Sequence, residues 1–227
     1  MTLYTKLREK VLNLLYPPRC MFCDEVLPVG KTCKKCAKRM AAYKLSEENG
    51  TKPGMRDKTL SALDGVSASY RYADEVKEAV IRYKFFGETG MAYDMARIMT
   101  RDLKKRMSVE DIDLVISVPE HKESDLHSRL LASQTARILG KKYERKALIK
   151  TVATRKQHDG LTRAEREKNL SGAFAVSDKE KVNGKTVLVC DDIVTSGCTL
   201  NECAKTLKKA GAKAVFAAAF SSTFIGE

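Results

Sequence analysis

No stretch of the 227 residues approaches the ~20 consecutive apolar residues that a membrane-spanning helix needs. The first residues, Met1-Thr-Leu-Tyr-Thr-Lys-Leu-Arg-Glu-Lys-Val-Leu12, carry too many charges for the apolar centre of a signal peptide. A cytoplasmic protein is therefore expected. No internal repeat and no low-complexity tract interrupts the chain, and no helix-turn-helix pattern is visible, which disfavours a transcriptional regulator. Acidic residues are in short supply: 29 Asp and Glu face 42 Lys and Arg, for a net charge of +13. An excess of that size attracts polyanions over long range and through counterion release. Against these absences, the hydrophobic fraction of 43 % is ordinary, and the length suits one α/β domain with a smaller appendage, or two domains.

Seven cysteines in such a chain argue for metal binding or inert burial rather than disulfides. They fall into two groups. Cys20, Cys23, Cys33 and Cys36 form two C-x-x-C knuckles nine residues apart. Each knuckle presents two sulfurs from one turn, and the connection brings the second turn across, which suits one tetrahedral Zn²⁺. An iron–sulfur site or unligated thiols are the alternatives. A segment this short cannot bury a core of its own, so a metal would supply its folding energy, on the order of 10 kcal/mol. Cys190, Cys198 and Cys203 have no ligand spacing. Cys190 reads as a small buried strand residue, and Cys198 as a spacer in a loop.

Leu3, Leu7, Val11, Leu14 and Leu15 recur at helical spacing before Pro17-Pro18 ends the pattern. This amphipathic face could meet a membrane, a partner or its own protein. Residues 46–62, with Pro53 and Gly54, read as a linker between a module over 1–45 and a domain over 63–227. Gly65-Val-Ser-Ala-Ser-Tyr-Arg-Tyr72 alternates like a strand. Helical periodicity follows over 74–84 and 91–106. Asp113–Val118 reads as a buried strand, 128–140 as a helix, and 147–152 and 173–176 as further strands. Residues 153–169 are charged and show no clear period. Thr186–Cys190 and Ala214–Phe220 complete the strands, with a helix over 198–210 stopped by Gly211. Strands alternating with helices predict a mostly parallel sheet flanked by helices.

The run Lys185-Thr-Val-Leu-Val-Cys-Asp-Asp-Ile-Val-Thr-Ser-Gly-Cys-Thr-Leu200 carries the chemistry. A buried strand leads to Asp191 and Asp192, placed where the strand is expected to end. The polar loop Thr195-Ser196-Gly197-Cys198-Thr199 then opens a helix. Ligands of open parallel sheets sit outside the carboxyl ends of the strands. A helix opened by small residues offers backbone N–H groups and a positive dipole end to phosphate. Carboxylates for hydroxyls or a divalent cation thus stand beside a phosphate cradle.

This run closely resembles the fingerprint of the type I phosphoribosyltransferases, with Ser196 in the second position of their Thr-Thr-Gly-x-Thr loop. The resemblance implies that Asp191 and Asp192 hold the ribose 2′- and 3′-hydroxyls of phosphoribosyl pyrophosphate near a Mg²⁺, bound through the ligand or water. It implies that Asp191 to Thr199, Ile193 and Val194 included, wrap the ribose and 5′-phosphate. It also implies that the loop Pro119-Glu120-His121-Lys122 grips pyrophosphate, although an ordinary strand-to-helix turn reads equally from the residues. The implied fold is the α/β type I phosphoribosyltransferase-like sheet with a small N-terminal zinc module.

A second resemblance spans essentially the whole chain. The four cysteines, Tyr83-Lys84-Phe85-Phe86-Gly87, Asp191-Asp192, and the stretch from Thr154 to Phe174 resemble the ComF family in the same order. The family implies DNA uptake in natural competence, with single-stranded DNA and a competence helicase or recombination loader as partners. It also implies a cytoplasmic place, or a peripheral one at a DNA-uptake site. Residues 141–168 hold ten Lys and Arg against four acids. Such a stretch fits a mobile cover over an anion, with Arg155, Gln157, Arg166 and Asn169 as contact candidates. Tyr83, Phe85 and Phe86 could stack on bases or pack in the core. One element departs from the family pattern: Glu123-Ser-Asp-Leu-His127 stands where ComF proteins carry Arg-Gly-aromatic-Asn-Gln. A ligand-binding competence protein and an active phosphoribosyltransferase with an unidentified acceptor both remain open.

Overall fold

In the computed structural model the described residues are 17–27, 32–45, 60–85, 89–119, 126–151 and 162–223. The N-terminal amphipathic pattern, Phe86, Glu120, His121, Lys122, Arg155 and Gln157 lie outside them, as does most of the expected linker. The elements run α1 (Lys34–Met40), β1 (Gly65–Arg71), α2 (Asp74–Phe85), α3 (Ala92–Arg106), β2 (Leu114–Ser117), α4 (His127–Leu139), β3 (Lys142–Tyr143), β4 (Leu148–Lys150), α5 (Arg163–Leu170), β5 (Phe174–Val176), β6 (Thr186–Val194), α6 (Cys198–Lys209) and β7 (Ala214–Ser222).

Five strands form one sheet in the order β1-β7-β6-β2-β3, every neighbouring pair parallel. Side chains alternate across a strand, so β6 and β7 serve two cores at once. Leu188, Cys190, Ala218 and Phe220 pack with residues of α2, α3 and α4, among them Val80, Met95, Met99 and Leu131. Val187, Val189, Ala217 and Ala219 pack with Leu200, Cys203 and Leu207 of α6. A parallel sheet covered on both faces produces the continuous apolar runs seen in the sequence. All five strands point the same way, so their carboxyl ends share one edge.

The structure corrects several expectations. The alternation read in β1 does not separate buried from exposed positions: six consecutive residues, Gly65 to Tyr70, are buried. Its outer edge is covered, because Lys44 bridges Tyr70 and the Leu45 N–H donates to Ser69 O at 3.1 Å. The residues after α1 thus occupy an edge that would otherwise expose unpaired backbone. The strands expected at 147–152 and 173–176, β4 and β5, do not join the sheet. They form a separate antiparallel ribbon, with Leu148 opposite Val176. The apparently aperiodic segment contains α5, held by a capping box in which the Thr162 hydroxyl accepts from Glu165 N–H while Glu165 accepts from Thr162 N–H. A short helix rich in charge carries no apolar period to read, and the cap defines it instead. At the far end of α6, Gly211 has φ +98°, and an added Cβ would meet Asn183 Oδ1 at 2.3 Å. Only glycine fits there.

The cysteine-bearing segment shares its core with the domain. Phe22, 2 % exposed, lies edge-on to Tyr70 at 5.8 Å and stacks on Phe220 at 6.4 Å. Met21 and Met40 are buried in the same cluster. Ion pairs ring this contact: Arg39 with Glu75, Arg82 with Asp24 at 3.3 Å, and Lys44 with the buried Asp102 at 3.2 Å. The expectation that metal alone would stabilise this segment gives way to metal plus a shared apolar interface. Phe22→Ala should therefore cost about 3–5 kcal/mol in urea unfolding of the whole chain. A loss below about 1 kcal/mol would show that the interface contributes little.

Candidate functional site

β6 does not stop at Cys190. It runs to Val194, with Asp191 opposite Ala219, Ile193 opposite Ser221 and Val194 opposite Ser222 in β7. The acids therefore lie within its last turns of pleat, where successive side chains take opposite faces. Asp191 follows the phase of Val187 and Val189, on the α6 side. Asp192 follows Leu188 and Cys190, on the side of α2 and α4. The single paired patch expected from sequence is divided between two faces.

Asp192 is 0 % exposed. Its Oδ1 lies 2.7 Å from Lys84 Nζ, at the end of α2, and its Oδ2 lies 3.7 Å from His127 Nε2, at the start of α4. The Lys84 contact is close but not directed as a hydrogen bond, and neither carboxylate oxygen has a well-aligned donor among the described residues. Desolvation lowers the Lys84 pKa, but the carboxylates of Asp192 and Asp191 outweigh it and hold the ammonium above its ordinary value. The Tyr83 hydroxyl donates to His127 O, tying the ends of α2 and α4 together. Tyr83 is thus a buried core residue and not a stacking platform, whereas Phe85 is 69 % exposed. Sequence reasoning passed over both Lys84 and His127. Lys84 sits in the Tyr-Lys-Phe-Phe-Gly segment, and His127 ends the stretch that departs from the family pattern; those two positions were the available signals.

Asp191 is half-buried and accepts from Asp192 N–H at 2.9 Å through Oδ1. Burial, then the adjacent Asp192 carboxylate, push its carboxyl up to about 8, against the opposing pull of Lys84. After Val194 the chain turns through Thr195 and Ser196, both half-buried, to Gly197 at φ +72°, which opens α6. Thr223, just past β7, fixes this turn, its N–H donating to Val194 O at 3.0 Å and its hydroxyl to Thr195 O at 3.2 Å. The first-turn backbone N–H groups of α6 point out of its start, as at any helix N-terminus. They stand at the same sheet edge as the acids. Cys198 and Cys203 are buried, as is Cys190, whose thiol burial pushes up to about 12. Pro119 is half-buried just past β2, on that same edge. Arg166 and Asn169 are half-buried on α5, which is tied to α6 where Gly172 N–H donates to Glu202 Oε1 at 2.9 Å.

The second centre is the cysteine cluster. The four sulfurs of Cys20, Cys23, Cys33 and Cys36 lie within 4.8 Å of one another, and Cys23 Sγ is 3.7 Å from Cys33 Sγ. Four sulfurs about 2.3 Å from one ion in a tetrahedron would be about 3.8 Å apart. The Cys33 and Cys36 N–H groups donate to the sulfurs of Cys20 and Cys33 at 3.4 and 3.3 Å. Burial, then the neighbouring Cys23, Cys33 and Cys20 thiols, push the Cys36 thiol above its ordinary value. Four thiolates so close are stable only around a cation, which is what the donor set of a structural zinc site provides.

The raised Asp191 carboxyl sets a pH dependence. An acid whose folded pKa exceeds its unfolded value of about 3.9 binds more protons in the folded state, so it destabilises increasingly as pH rises between the two values. Asp191→Asn removes this cost. Its gain in melting temperature should be smallest near pH 4, grow toward pH 8 and level off above. A gain that shrinks over that range would contradict the raised carboxyl.

The phosphoribosyl transferase domain family matches residues 125–222, and the double zinc ribbon domain family matches residues 11–48. Competence protein F of Haemophilus influenzae is 24 % identical over 87 % of this chain and 93 % of its own length. The DNA utilization protein YhgH of Escherichia coli is 28 % identical over 63 % of this chain and 66 % of its own. Among solved structures, the allosteric regulatory enzyme of purine biosynthesis aligns with 61 % of this chain and 29 % of its own at 21 % identity, with a TM-score of 0.44. A zinc-ribbon segment with its four-cysteine centre, joined to a phosphoribosyltransferase-like domain and similar to competence and DNA-utilization relatives, supports a ComF family protein.

Proposed function

We propose that this protein binds phosphoribosyl pyrophosphate, or a related ribose phosphate, and acts with single-stranded DNA in DNA uptake during natural transformation. The observation that carries the ligand half is the sharing of one sheet edge by Asp191, Asp192 and the Gly197-opened start of α6. In this reading the acids hold the ribose hydroxyls, the half-buried Asp191 directly and the closed Asp192 through the Lys84 ammonium. The loop from Thr195 to Thr199 holds the 5′-phosphate through backbone N–H groups at a positive helix end. Pro119 to Lys122 receive pyrophosphate, Mg²⁺ arrives through ligand or water, and Arg155, Gln157, Arg166 and Asn169 close over the anion. Residues 1–45 serve as the zinc module, 46–62 as the connection and 63–227 as the ligand domain.

The names of the relatives, Competence protein F and DNA utilization protein, support the DNA half, and so does the net charge of +13. Among the described residues no helix is long and apolar enough to cross a membrane. That agrees with a cytoplasmic protein, or one held peripherally at an uptake site, where a helicase or recombination loader would dock.

One observation favours a second reading, an active phosphoribosyltransferase with an unidentified acceptor. A carboxyl held near neutrality in a ligand crevice is suited to proton transfer, and Asp191 is such a group. Pyrophosphate release on addition of candidate acceptors separates this reading from binding alone.

Calorimetric titration with phosphoribosyl pyrophosphate and Mg²⁺ should give saturable binding that Asp191→Asn/Asp192→Asn weakens by at least about tenfold. No heat with the wild type, or equal binding by the variant, would remove the ligand reading. For the DNA half, affinity for a single-stranded oligonucleotide should fall linearly on a log–log plot against salt, with a slope of about −0.7 per phosphate neutralised. Weak binding at low salt without a slope would count decisively against it.

A further inference from the structure

Asp192 is a poor place for a divalent cation. Its carboxylate is 0 % exposed, Lys84 Nζ already lies 2.7 Å from one oxygen, and His127 Nε2 lies 3.7 Å from the other. Mg²⁺ demands near-octahedral oxygen donors at about 2.0–2.1 Å and keeps several of its waters. Neither a closed pocket nor a neighbouring ammonium accommodates such an ion, because two cations this close repel strongly in a medium of low dielectric. Asp191 differs, being half-buried with one oxygen engaged by the Asp192 N–H.

Lys84 is also held where it stands. Arg82, two residues earlier, pairs with Asp24 at 3.3 Å and donates to Met21 O, both in the first cysteine knuckle. Tyr83 is anchored on His127 O. The end of α2 is therefore fixed on both sides of Lys84, and the ammonium meets Asp192 with its side chain only 23 % exposed.

We infer that Lys84 is the resident cation of the ligand site: at Asp192 its ammonium takes the place of a divalent ion, and the protein holds no metal there. Any Mg²⁺ then enters on the pyrophosphate of the ligand. An ammonium has three N–H donors, so one group can hold Asp192 and still reach a ligand oxygen. Lys84 acts in this way as a positioning residue. The ligand named here rests on the ribose-phosphate reading above; the cation assignment does not.

The test is Mn²⁺ titration of the zinc-loaded protein without any ribose phosphate, followed by loss of the free-ion electron paramagnetic resonance signal. Mn²⁺ favours the same oxygen donors as Mg²⁺ and stands low in the affinity order, so it leaves the thiolate-bound zinc in place. Wild type and Asp192→Asn should bind it equally weakly. Lys84→Met should gain at least about tenfold in affinity, Lys84→Met/Asp192→Asn should lose that gain, and Lys84→Arg should match wild type. Mn²⁺ binding by wild type that Asp192→Asn abolishes would overturn the assignment, as would a folded Lys84→Met that gains nothing. If Lys84→Met does not fold, the comparison of wild type with Asp192→Asn decides. Overturning it here leaves the ribose-phosphate reading intact, since no such ligand is present in the titration.

Discussion

A carboxylate with no exposure must be matched by positive charge, and at Asp192 the match comes from Lys84. Burying either ion alone would cost several kcal/mol, and breaking such a pair typically costs about 3–5 kcal/mol. The constraint reaches well beyond two side chains. It sets the rotation of α2, because Lys84 must meet β6 while Glu75 and Arg82 on the same helix meet Arg39 and Asp24 of the cysteine-bearing segment. It also brings the start of α4 inward, through the Tyr83 hydroxyl on His127 O. One helix thus connects the zinc centre to the candidate ligand site.

The sheet supplies the frame in which this pair matters. β6 lies at its centre and is covered on both faces, so anything at its carboxyl end sits on a rigid support. Alternation along β6 then sends Asp191 toward α6 and Asp192 toward α2 and α4. The two carboxyls acquire different environments as a result. One is half-open and held near neutrality, and the other is closed and paired with an ammonium. Different roles for adjacent identical residues follow from this division without any difference in their chemistry.

Much of this was legible in the sequence because it is local. Val187 to Cys190 announce a buried strand, the small residues Thr195 to Thr199 a helix opening, and the C-x-x-C pairs a tetrahedral sulfur site, each within a few residues. Other features were not local. Lys84 and Asp192 are far apart in the chain and meet only because α2 crosses the face of β6. The extension of β6 to Val194 depends on pairing with β7, which no property of Ile193 or Val194 alone declares. α5 escaped notice because its stability rests on the Thr162–Glu165 cap rather than on an apolar stripe. The seemingly alternating β1 is buried along Gly65 to Tyr70, and Lys44 and Leu45 cover its edge, a contact set by the placement of the zinc module.

The central claim is that a ribose phosphate sits at the carboxyl edge of β6. A crystal structure of the zinc-loaded protein soaked with ribose 5-phosphate tests it most directly. The account predicts the phosphate on the backbone N–H groups between Thr195 and Thr199, the ribose hydroxyls beside Asp191, and the Lys84–Asp192 pair intact. Phosphate density elsewhere on the surface with this edge left empty, or a metal ion bound to Asp192 with Lys84 displaced, would contradict it.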